Sequence, residues 1–235
     1  MKPLLQVMKT RFARVSVVRD DLLEGGSKTR FLPFLVKGAD EVVFGGPFCG
    51  GAPLALSVIG RKQGFRVTLY YAKRAALHAR QIAARANGAK LIFVDPGYMS
   101  NVQAKARAYA EAAGALFLPL GFDLPAAEDP FVEAMHEVDG GFDEVWCAAG
   151  SGMLARCLAR AFPEAAVHAV TVGLASRHSA QEFGPNVILH ACPLAFEQET
   201  KASAPFPSCP NYDRKAWEQC QREAKGKALF WNVMS

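Results

Sequence analysis

The sequence predicts a two-lobed α/β protein in which parallel sheets carry helices on both faces. Short apolar segments alternate with longer helical segments along most of the 235 residues, which is the pattern of strands joined by crossover helices. Two of the helical segments are followed directly by a glycine, Gly88 and Gly114, as is common where a helix ends. The chain is also long enough to bury one sizeable core or two smaller ones.

The individual strands and helices are predicted from the spacing of apolar residues. Strands are expected at residues 15–18, 40–44, 66–71, 90–94, 115–120, 144–148, 167–172 and 228–233. Helices are expected at residues 52–63, 75–87, 101–113, 131–138, 153–161 and 213–225, with a further apolar helical stretch after Lys28. Glycine-rich turns bracket the strand–helix units between about residues 45 and 120. We therefore expect a smaller lobe at residues 46–120 and a larger lobe formed by residues 1–45 and 121–235.

Composition and charge exclude several classes of protein. No apolar run approaches the roughly 20 residues that a membrane-spanning helix needs, and the first residues lack the pattern of a secretory signal. The six cysteines are scattered, with no Cys-x-x-Cys spacing, so we expect no metal site and a reducing cytoplasm. The net charge of +5 is compatible with an anionic cofactor or a nucleic-acid partner and requires neither.

The segment around Lys28 is the strongest functional indication. An apolar lead runs into an acidic turn and then into Gly-Gly-Ser-Lys28-Thr-Arg, followed by apolar residues with helical spacing. A lysine fixed at the start of a helix, close to glycine backbone, has its amine held in place and can attack a carbonyl group. We therefore consider Lys28 a candidate nucleophile. The alternative is a surface lysine after a Gly-Gly turn.

A second glycine motif, Gly150-Ser151-Gly152, follows a predicted strand and opens a predicted helix. Free backbone N–H groups and the helix dipole form an anion site at such a turn, and glycine lets the backbone approach a phosphate closely. Any α/β domain has turns of this kind, so the motif indicates phosphate binding only in combination with Lys28.

Together these motifs resemble those of the tryptophan-synthase-β-like (fold type II) pyridoxal-phosphate enzymes, most closely the branch of 1-aminocyclopropane-1-carboxylate deaminase and D-cysteine desulfhydrase. That branch carries Arg-Asp-Asp-Leu and then Gly-Gly-Asn-Lys-x-Arg, against Arg19-Asp-Asp-Leu and Gly-Gly-Ser-Lys28-Thr-Arg here. The resemblance implies pyridoxal 5′-phosphate as the cofactor, a Schiff base on Lys28, and a smaller lobe inserted where we expect one. It also implies a phosphate cradle made of Gly150, Ser151, Gly152, Met153 and Leu154, in which the last two replace a glycine and a threonine of the family.

The C-terminal part of the chain resembles the same family. Pro210-Asn-Tyr212-Asp-Arg-Lys and Ala228-Leu-Phe-Trp-Asn-Val-Met-Ser235 match the family's Pro-Val-Tyr-x-Gly-Lys and Val-Leu-Phe-x-His-Thr-Gly-Gly. The resemblance makes Tyr212 a proton-transfer group or a neighbour of the cofactor ring; the alternative is an interface tyrosine. Val233 replaces the threonine that faces the pyridine nitrogen. We therefore expect Ser235, Asn232 or water to serve that nitrogen; without any such partner, the electron sink would be weaker.

The most informative departure from the family lies at Gly45-Gly-Pro-Phe-Cys49-Gly50-Gly51, where the family has Gly-Gly-x-x-Ser-Asn-His/Gln. In the family these side chains hold the substrate carboxylate, and the serine acts in ring opening. Cys49, Gly50 and Gly51 would line the substrate site here, offering backbone N–H groups and more space. Cys49 is a candidate catalytic residue, although a small buried apolar residue is the interpretation that we favour.

The sequence therefore predicts a pyridoxal-phosphate enzyme that forms an imine with an amino-acid-like substrate and catalyses elimination, deamination or decarboxylation. One alternative is a decarboxylase or lyase acting on an amino-acid group attached to a DNA base, which the altered carboxylate loop favours. Another is a degenerate cofactor-binding protein without catalysis. A homodimer is compatible with the sequence. The scattered histidines, including His168, His178 and His190, are interpreted as surface or core residues rather than ligands.

Overall fold

The computed structural model describes residues 2–10, 13–172 and 179–235. The chain divides into a larger unit, Met1–Ser27 with Glu128–Ser235, and a smaller unit, Lys28–Ala127. These divisions fall at different residues from the predicted lobe boundaries. None of the helices in the described ranges is both long and apolar enough to cross a lipid bilayer.

The strands and helices follow one another along the described residues as β1 (Leu5–Lys9), β2 (Arg14–Arg19), α1 (Leu32–Leu35), β3 (Glu41–Gly45), α2 (Ala52–Gln63), β4 (Arg66–Ala72), α3 (Ala79–Ala86), β5 (Lys90–Val94), α4 (Met99–Ala113), β6 (Leu116–Leu118), α5 (Pro125–His136), β7 (Glu144–Ala149), α6 (Met153–Ala161), β8 (Ala166–Thr171), β9 (Val187–Ala191), α7 (Asp213–Glu223) and β10 (Lys227–Asn232). Each predicted strand and helix has a counterpart, with ends that differ by a few residues. The strands β1 and β9 were not predicted.

The larger unit is built on a six-stranded sheet in the order β1-β2-β10-β7-β8-β9. β1 is antiparallel to β2, and the other neighbouring strands are parallel. Phe230 packs edge-on against Trp217 of α7, with 5.1 Å between the ring centroids. The next residue, Trp231, packs against Phe131 of α5 at 6.2 Å. Because successive side chains in a strand point to opposite faces, helices cover both faces of this sheet, as predicted.

The smaller unit has a four-stranded parallel sheet in the order β5-β4-β3-β6. Tyr70 of β4 belongs to the core formed with Ala106 of α4. Val67 lies on the other face of the same strand and packs against Gly60 of α2. A Cβ added at Gly60 would lie only 2.4 Å from the Val67 side chain. α4 and α2 therefore cover opposite faces. β3 pairs within this sheet, whereas residues 40–44 had been expected to belong to the larger lobe.

Candidate functional site

Lys28 follows a tightly packed turn. Gly25 and Gly26 have φ angles of 94° and 74°, a backbone conformation that favours glycine. A Cβ at Gly26 would lie 2.5 Å from the carbonyl oxygen of Val233, so a larger residue does not fit there. The chain then forms a short 3-10 helix, Ser27–Arg30, before the single turn of α1. Lys28 is half-buried in this short helix, which replaces the longer helical stretch that the sequence predicted.

A buried hydrogen-bond network holds the residue before Lys28. The carboxylate of Asp20 accepts hydrogen bonds from the Ser27 hydroxyl at 2.7 Å and from the Trp231 indole N–H at 3.1 Å, and the same indole N–H lies 3.0 Å from the serine oxygen. The backbone N–H of Ser27 also donates to the carbonyl oxygen of Val233 at 3.1 Å. These contacts fix the backbone where the chain reaches Lys28. Sequence reasoning noticed the acidic turn but did not assign this role to Asp20 or Trp231.

The Gly-Ser-Gly turn joins β7 to α6, as predicted. Gly152 has a φ of 99°, and a Cβ there would lie 1.9 Å from the ring of Phe183, so both backbone conformation and packing require glycine. The first N–H groups of a helix lack acceptors within the helix, and the helix dipole favours negative charge at that end. The start of α6 therefore suits an anion such as a phosphate group.

Tyr212 contacts this turn. Its hydroxyl oxygen accepts a hydrogen bond from the backbone N–H of Gly150 at 2.9 Å and donates to the carbonyl oxygen of Ala148 at 3.3 Å. The Gly150 N–H is thus already used, which leaves the N–H groups of Ser151, Gly152 and the first turn of α6 for an anion. Burial raises the pKa of Tyr212 well above its usual range, and the negative charge of Asp213 adds to the effect. The hydroxyl group of Tyr212 therefore stays protonated at neutral pH.

Asn232, near the end of the chain, has a buried side-chain oxygen that can accept a hydrogen bond. Asn232 is fully buried, and its side-chain N–H₂ donates to Asp21 at 2.7 Å and to the carbonyl oxygen of Pro207 at 2.9 Å. Within the described residues its side-chain oxygen has no hydrogen-bond partner. Ser235 is exposed and Val233 is buried. Of the two side chains considered for the pyridine nitrogen, Asn232 is thus buried with an oxygen that has no hydrogen-bond partner among the described residues, and Ser235 is exposed.

Cys49 lies in the turn between β3 and α2. Its side chain is buried, and its carbonyl oxygen accepts a hydrogen bond from the guanidinium group of Arg80. The backbone N–H of Gly50 donates to the carbonyl oxygen of Pro47 at 3.1 Å, and a Cβ at Gly50 would lie 3.0 Å from the proline ring. The turn is therefore narrow, and burial of Cys49 favours its interpretation as a packing residue.

Two histidines that are distant in sequence form a hydrogen-bonded pair in the larger unit. Nδ1 of His168 lies 2.9 Å from Nε2 of His190, and the His168 ring stacks on Trp146 with 4.1 Å between centroids. Burial lowers the pKa of both histidines, against the opposing effect of the carboxylates of Glu144 and Glu223. The sequence interpretation treated these histidines separately. His178 lies outside the described residues.

No family model matches the sequence. The structure matches an ACC deaminase homologue with a TM-score of 0.82 and 19% identity, covering 100% of this chain and 89% of the other. O-ureido-L-serine synthase matches with a TM-score of 0.75 and 16% identity (99% and 88% covered), and threonine deaminase isoform 2 from Solanum lycopersicum with 0.71 and 10% identity (100% and 79% covered).

The chain has the tryptophan-synthase-β-like fold. The predicted fold class is thereby confirmed over the whole chain. A local sequence match of 82 residues, at 34% identity, relates the chain to the large ribosomal subunit protein bL21 of Cereibacter sphaeroides. It covers 32% of this chain, and the chain spans about three-fifths (62%) of that relative's length.

Proposed function

We propose that this protein is a pyridoxal-phosphate-dependent enzyme that acts on the amino group of an amino-acid-like substrate. The observation that carries the proposal is the whole-chain fold match to an ACC deaminase homologue, in a chain in which Lys28 follows the tightly packed turn Gly25-Gly26-Ser27. The Gly-Ser-Gly turn at the start of α6 supports it, because its backbone N–H groups suit the phosphate of that cofactor.

Each candidate residue has a role in this proposal. Lys28 would hold the cofactor through its amine, and the N–H groups of Ser151 and Gly152, with the start of α6, would hold its phosphate. Bound pyridoxal phosphate would supply an electron sink for negative charge next to the substrate nitrogen. Lys28, once released by the substrate amine, would move a proton as general acid or base. Tyr212 would hold the Gly150 end of the phosphate site in place through its two backbone hydrogen bonds.

The reaction would be an elimination, deamination or decarboxylation, and the turn at Cys49 bears on which one. The family's hydroxyl and amide side chains for the substrate carboxylate are absent at Cys49 and Gly50. Each lost hydrogen bond to a charged group is worth roughly 1.5–3 kcal/mol, so losing two would weaken a small substrate about a hundredfold or more. Free 1-aminocyclopropane-1-carboxylate, D-cysteine and D-serine should therefore react slowly. Brisk deamination of these amino acids would contradict this part of the proposal.

A second candidate function is decarboxylation or elimination on an amino-acid group attached to a nucleobase in DNA. The replacement of the family's serine and asparagine by Cys49 and Gly50 supports it, because a carboxylate without side-chain partners is free to turn out of the cofactor plane, and the missing side chains leave room for a larger group. A protein that binds the cofactor without catalysis is the remaining alternative, supported by the replacement of a threonine by Val233. Turnover of any amine substrate would exclude it.

The decisive test is to trap the cofactor on Lys28. The purified protein, supplied with pyridoxal phosphate, should show the absorbance band of a lysine imine, and borohydride should fix the cofactor onto Lys28 in peptide mass spectra. Lys28→Ala should abolish both signals. Lys37→Ala, which removes an exposed lysine of the same unit, should change neither. A wild-type protein that cannot be loaded would refute the proposal.

A further inference from the structure

The smaller unit carries far more positive charge than the larger one. Residues 28–127 contain 13 Lys and Arg against 5 Asp and Glu, a formal net charge of +8, whereas the rest of the chain has 14 against 17, or −3. Within residues 42–94 there are 8 Lys and Arg and no acidic residue. Such an asymmetry between units is typical of a protein whose basic part meets a polyanion.

Three of these cations lie at one edge of the small sheet. Lys73 and Arg74 directly follow β4, and Arg80 lies in the first turn of α3. The carboxyl ends of parallel strands meet at the same edge of a sheet, so these residues share that edge with the turn after β3. Among the described residues neither Lys73 nor Arg74 forms an ion pair. Asp95, after β5, is the acidic residue nearest to them in the strand order.

Aromatic rings accompany these cations. The guanidinium group of Arg74 lies 3.8 Å from the centre of the Phe48 ring, which also contacts His78 edge-on at 5.6 Å between centroids. Tyr98, at the start of α4, is 84% exposed, and Phe93 at the end of β5 is 42% exposed. Interleaved cations and exposed aromatic rings are what single-stranded nucleic acids bind, because phosphates pair with the cations while bases stack on rings and guanidinium planes.

We propose that this edge, formed by Phe48, Lys73, Arg74, Arg80 and Tyr98, binds the backbone and bases of a single-stranded nucleic acid. The inference deepens the proposed function and rests on it in one respect: the nucleic acid would carry the amino-acid-like substrate. Arg80 also contacts the carbonyl oxygen of Cys49, so the nucleic-acid surface adjoins the turn that would receive the substrate.

The test measures binding of a short fluorescein-labelled oligothymidylate to the full-length protein by fluorescence anisotropy at several salt concentrations. The double variant Lys73→Gln/Arg74→Gln should bind roughly tenfold more weakly at low salt. Its plot of log affinity against log salt should be shallower by about 1.4, since each phosphate contact on a single strand contributes about 0.7. Phe48→Leu should weaken binding without changing this slope, because stacking releases no counterions.

The matched control is Arg61→Gln/Lys62→Gln, which removes the same charge from the last turn of α2. It should keep nearly wild-type affinity and slope, since distant charges are screened over about 8 Å at physiological salt. Equal losses in both double variants would show a diffuse effect of net charge and overturn the inference. Absence of binding by the wild type, or displacement of the oligonucleotide by millimolar inorganic phosphate, would also overturn it.

The absorbance of the lysine imine, recorded on the same samples, separates this inference from the proposed function. We expect Lys73→Gln/Arg74→Gln to keep the wild-type absorbance although its affinity for the oligonucleotide falls. If the wild type binds the oligonucleotide at this edge but never takes up pyridoxal phosphate, the proposed function fails and the binding surface stands.

Discussion

The hydroxyl group of Tyr212 lies 2.9 Å from the backbone nitrogen of Gly150 and 3.3 Å from the carbonyl oxygen of Ala148. One side chain thereby joins the end of β7 to the first residue of the Gly-Ser-Gly turn. A Cβ at Gly150 would lie 3.0 Å from the tyrosine hydroxyl, so the glycine is needed for this contact. A residue expected to transfer protons therefore also maintains the shape of the proposed phosphate site.

Tyr212→Phe should lower both stability and cofactor affinity. The change leaves the N–H of Gly150 without its partner, which costs about 1–3 kcal/mol for a buried group. Urea unfolding measures the loss of stability, and spectrophotometric titration measures the affinity for pyridoxal phosphate. Tyr98→Phe, which removes an exposed hydroxyl, is the control and should change neither. Unaltered stability of Tyr212→Phe would show that the hydroxyl does not hold the turn.

Gly152→Ala should destabilise the protein whether or not a phosphate binds at the turn. A Cβ there meets the ring of Phe183 at 1.9 Å, and the alanine has to adopt a φ of 99°. Overpacking alone typically costs about 1–3 kcal/mol.

Ser151→Ala is the better probe of the phosphate site. It removes only the hydroxyl group, which can donate a further hydrogen bond to a phosphate, so it should leave the urea midpoint near that of the wild type and weaken the binding of pyridoxal phosphate. Equal cofactor affinity in Ser151→Ala would mean that backbone N–H groups suffice.

Asp20→Asn should destabilise the turn before Lys28. The carboxylate accepts two hydrogen bonds in a buried network with Ser27 and Trp231, and bonds to charged groups are worth about 1.5–3 kcal/mol each. Both bonds are made to Oδ2, which the amide oxygen of asparagine can replace, but bonds to a neutral acceptor are worth only about 0.5–1.5 kcal/mol each. We therefore expect a loss of about 2 kcal/mol in urea unfolding, with slower cofactor uptake. Asp139→Asn, at an exposed ion pair, is the control and should leave stability unchanged. An equal loss in both variants would argue against a special role for Asp20.

Acidification should destabilise the larger unit through His168 and His190. Burial lowers the pKa of both imidazoles in the folded protein, so below the usual value of about 6.5 the unfolded chain binds more protons than the folded chain. Stability is therefore lost as the pH falls from about 6.5 towards the lowered folded values. His168→Gln should flatten this dependence in urea midpoints measured between pH 8 and pH 5. The same slope in both proteins would assign the effect to other groups.

Local sequence patterns predicted the interior of both sheets well. The bounds of α2, β5 and α6 agree with the prediction, because each has a clear apolar period between glycine or polar breaks. β1 was not found because most of its residues are exposed, so it lacks the alternation that identifies a strand. β9 was missed because the sequence predicts no helix between residues 172 and 213 that would have marked it as part of a strand–helix repeat.

The candidate site was predictable only where glycine marks the backbone. Lys28 and the Gly-Ser-Gly turn were selected as candidates from their flanking glycines, and the structure gives both turns positive φ angles. The hydrogen bond between Tyr212 and Gly150, the packing of Phe183 on Gly152, and the pairing of His168 with His190 depend on strands that are far apart in sequence. Their contacts follow from the strand order, which single-chain periodicity does not specify.

The position of β10 bears on how the protein is made. This strand comes last in the sequence but lies between β2 and β7. A nascent chain on the ribosome therefore cannot complete the large sheet until residues 227–232 have left the exit tunnel. Before then β2 and β7 lack β10, the strand that joins them, and their apolar side chains are incompletely buried. Pairing over such long sequence separations is intrinsically slow, so we expect the large sheet to form late in folding, while the contiguous small sheet can form earlier.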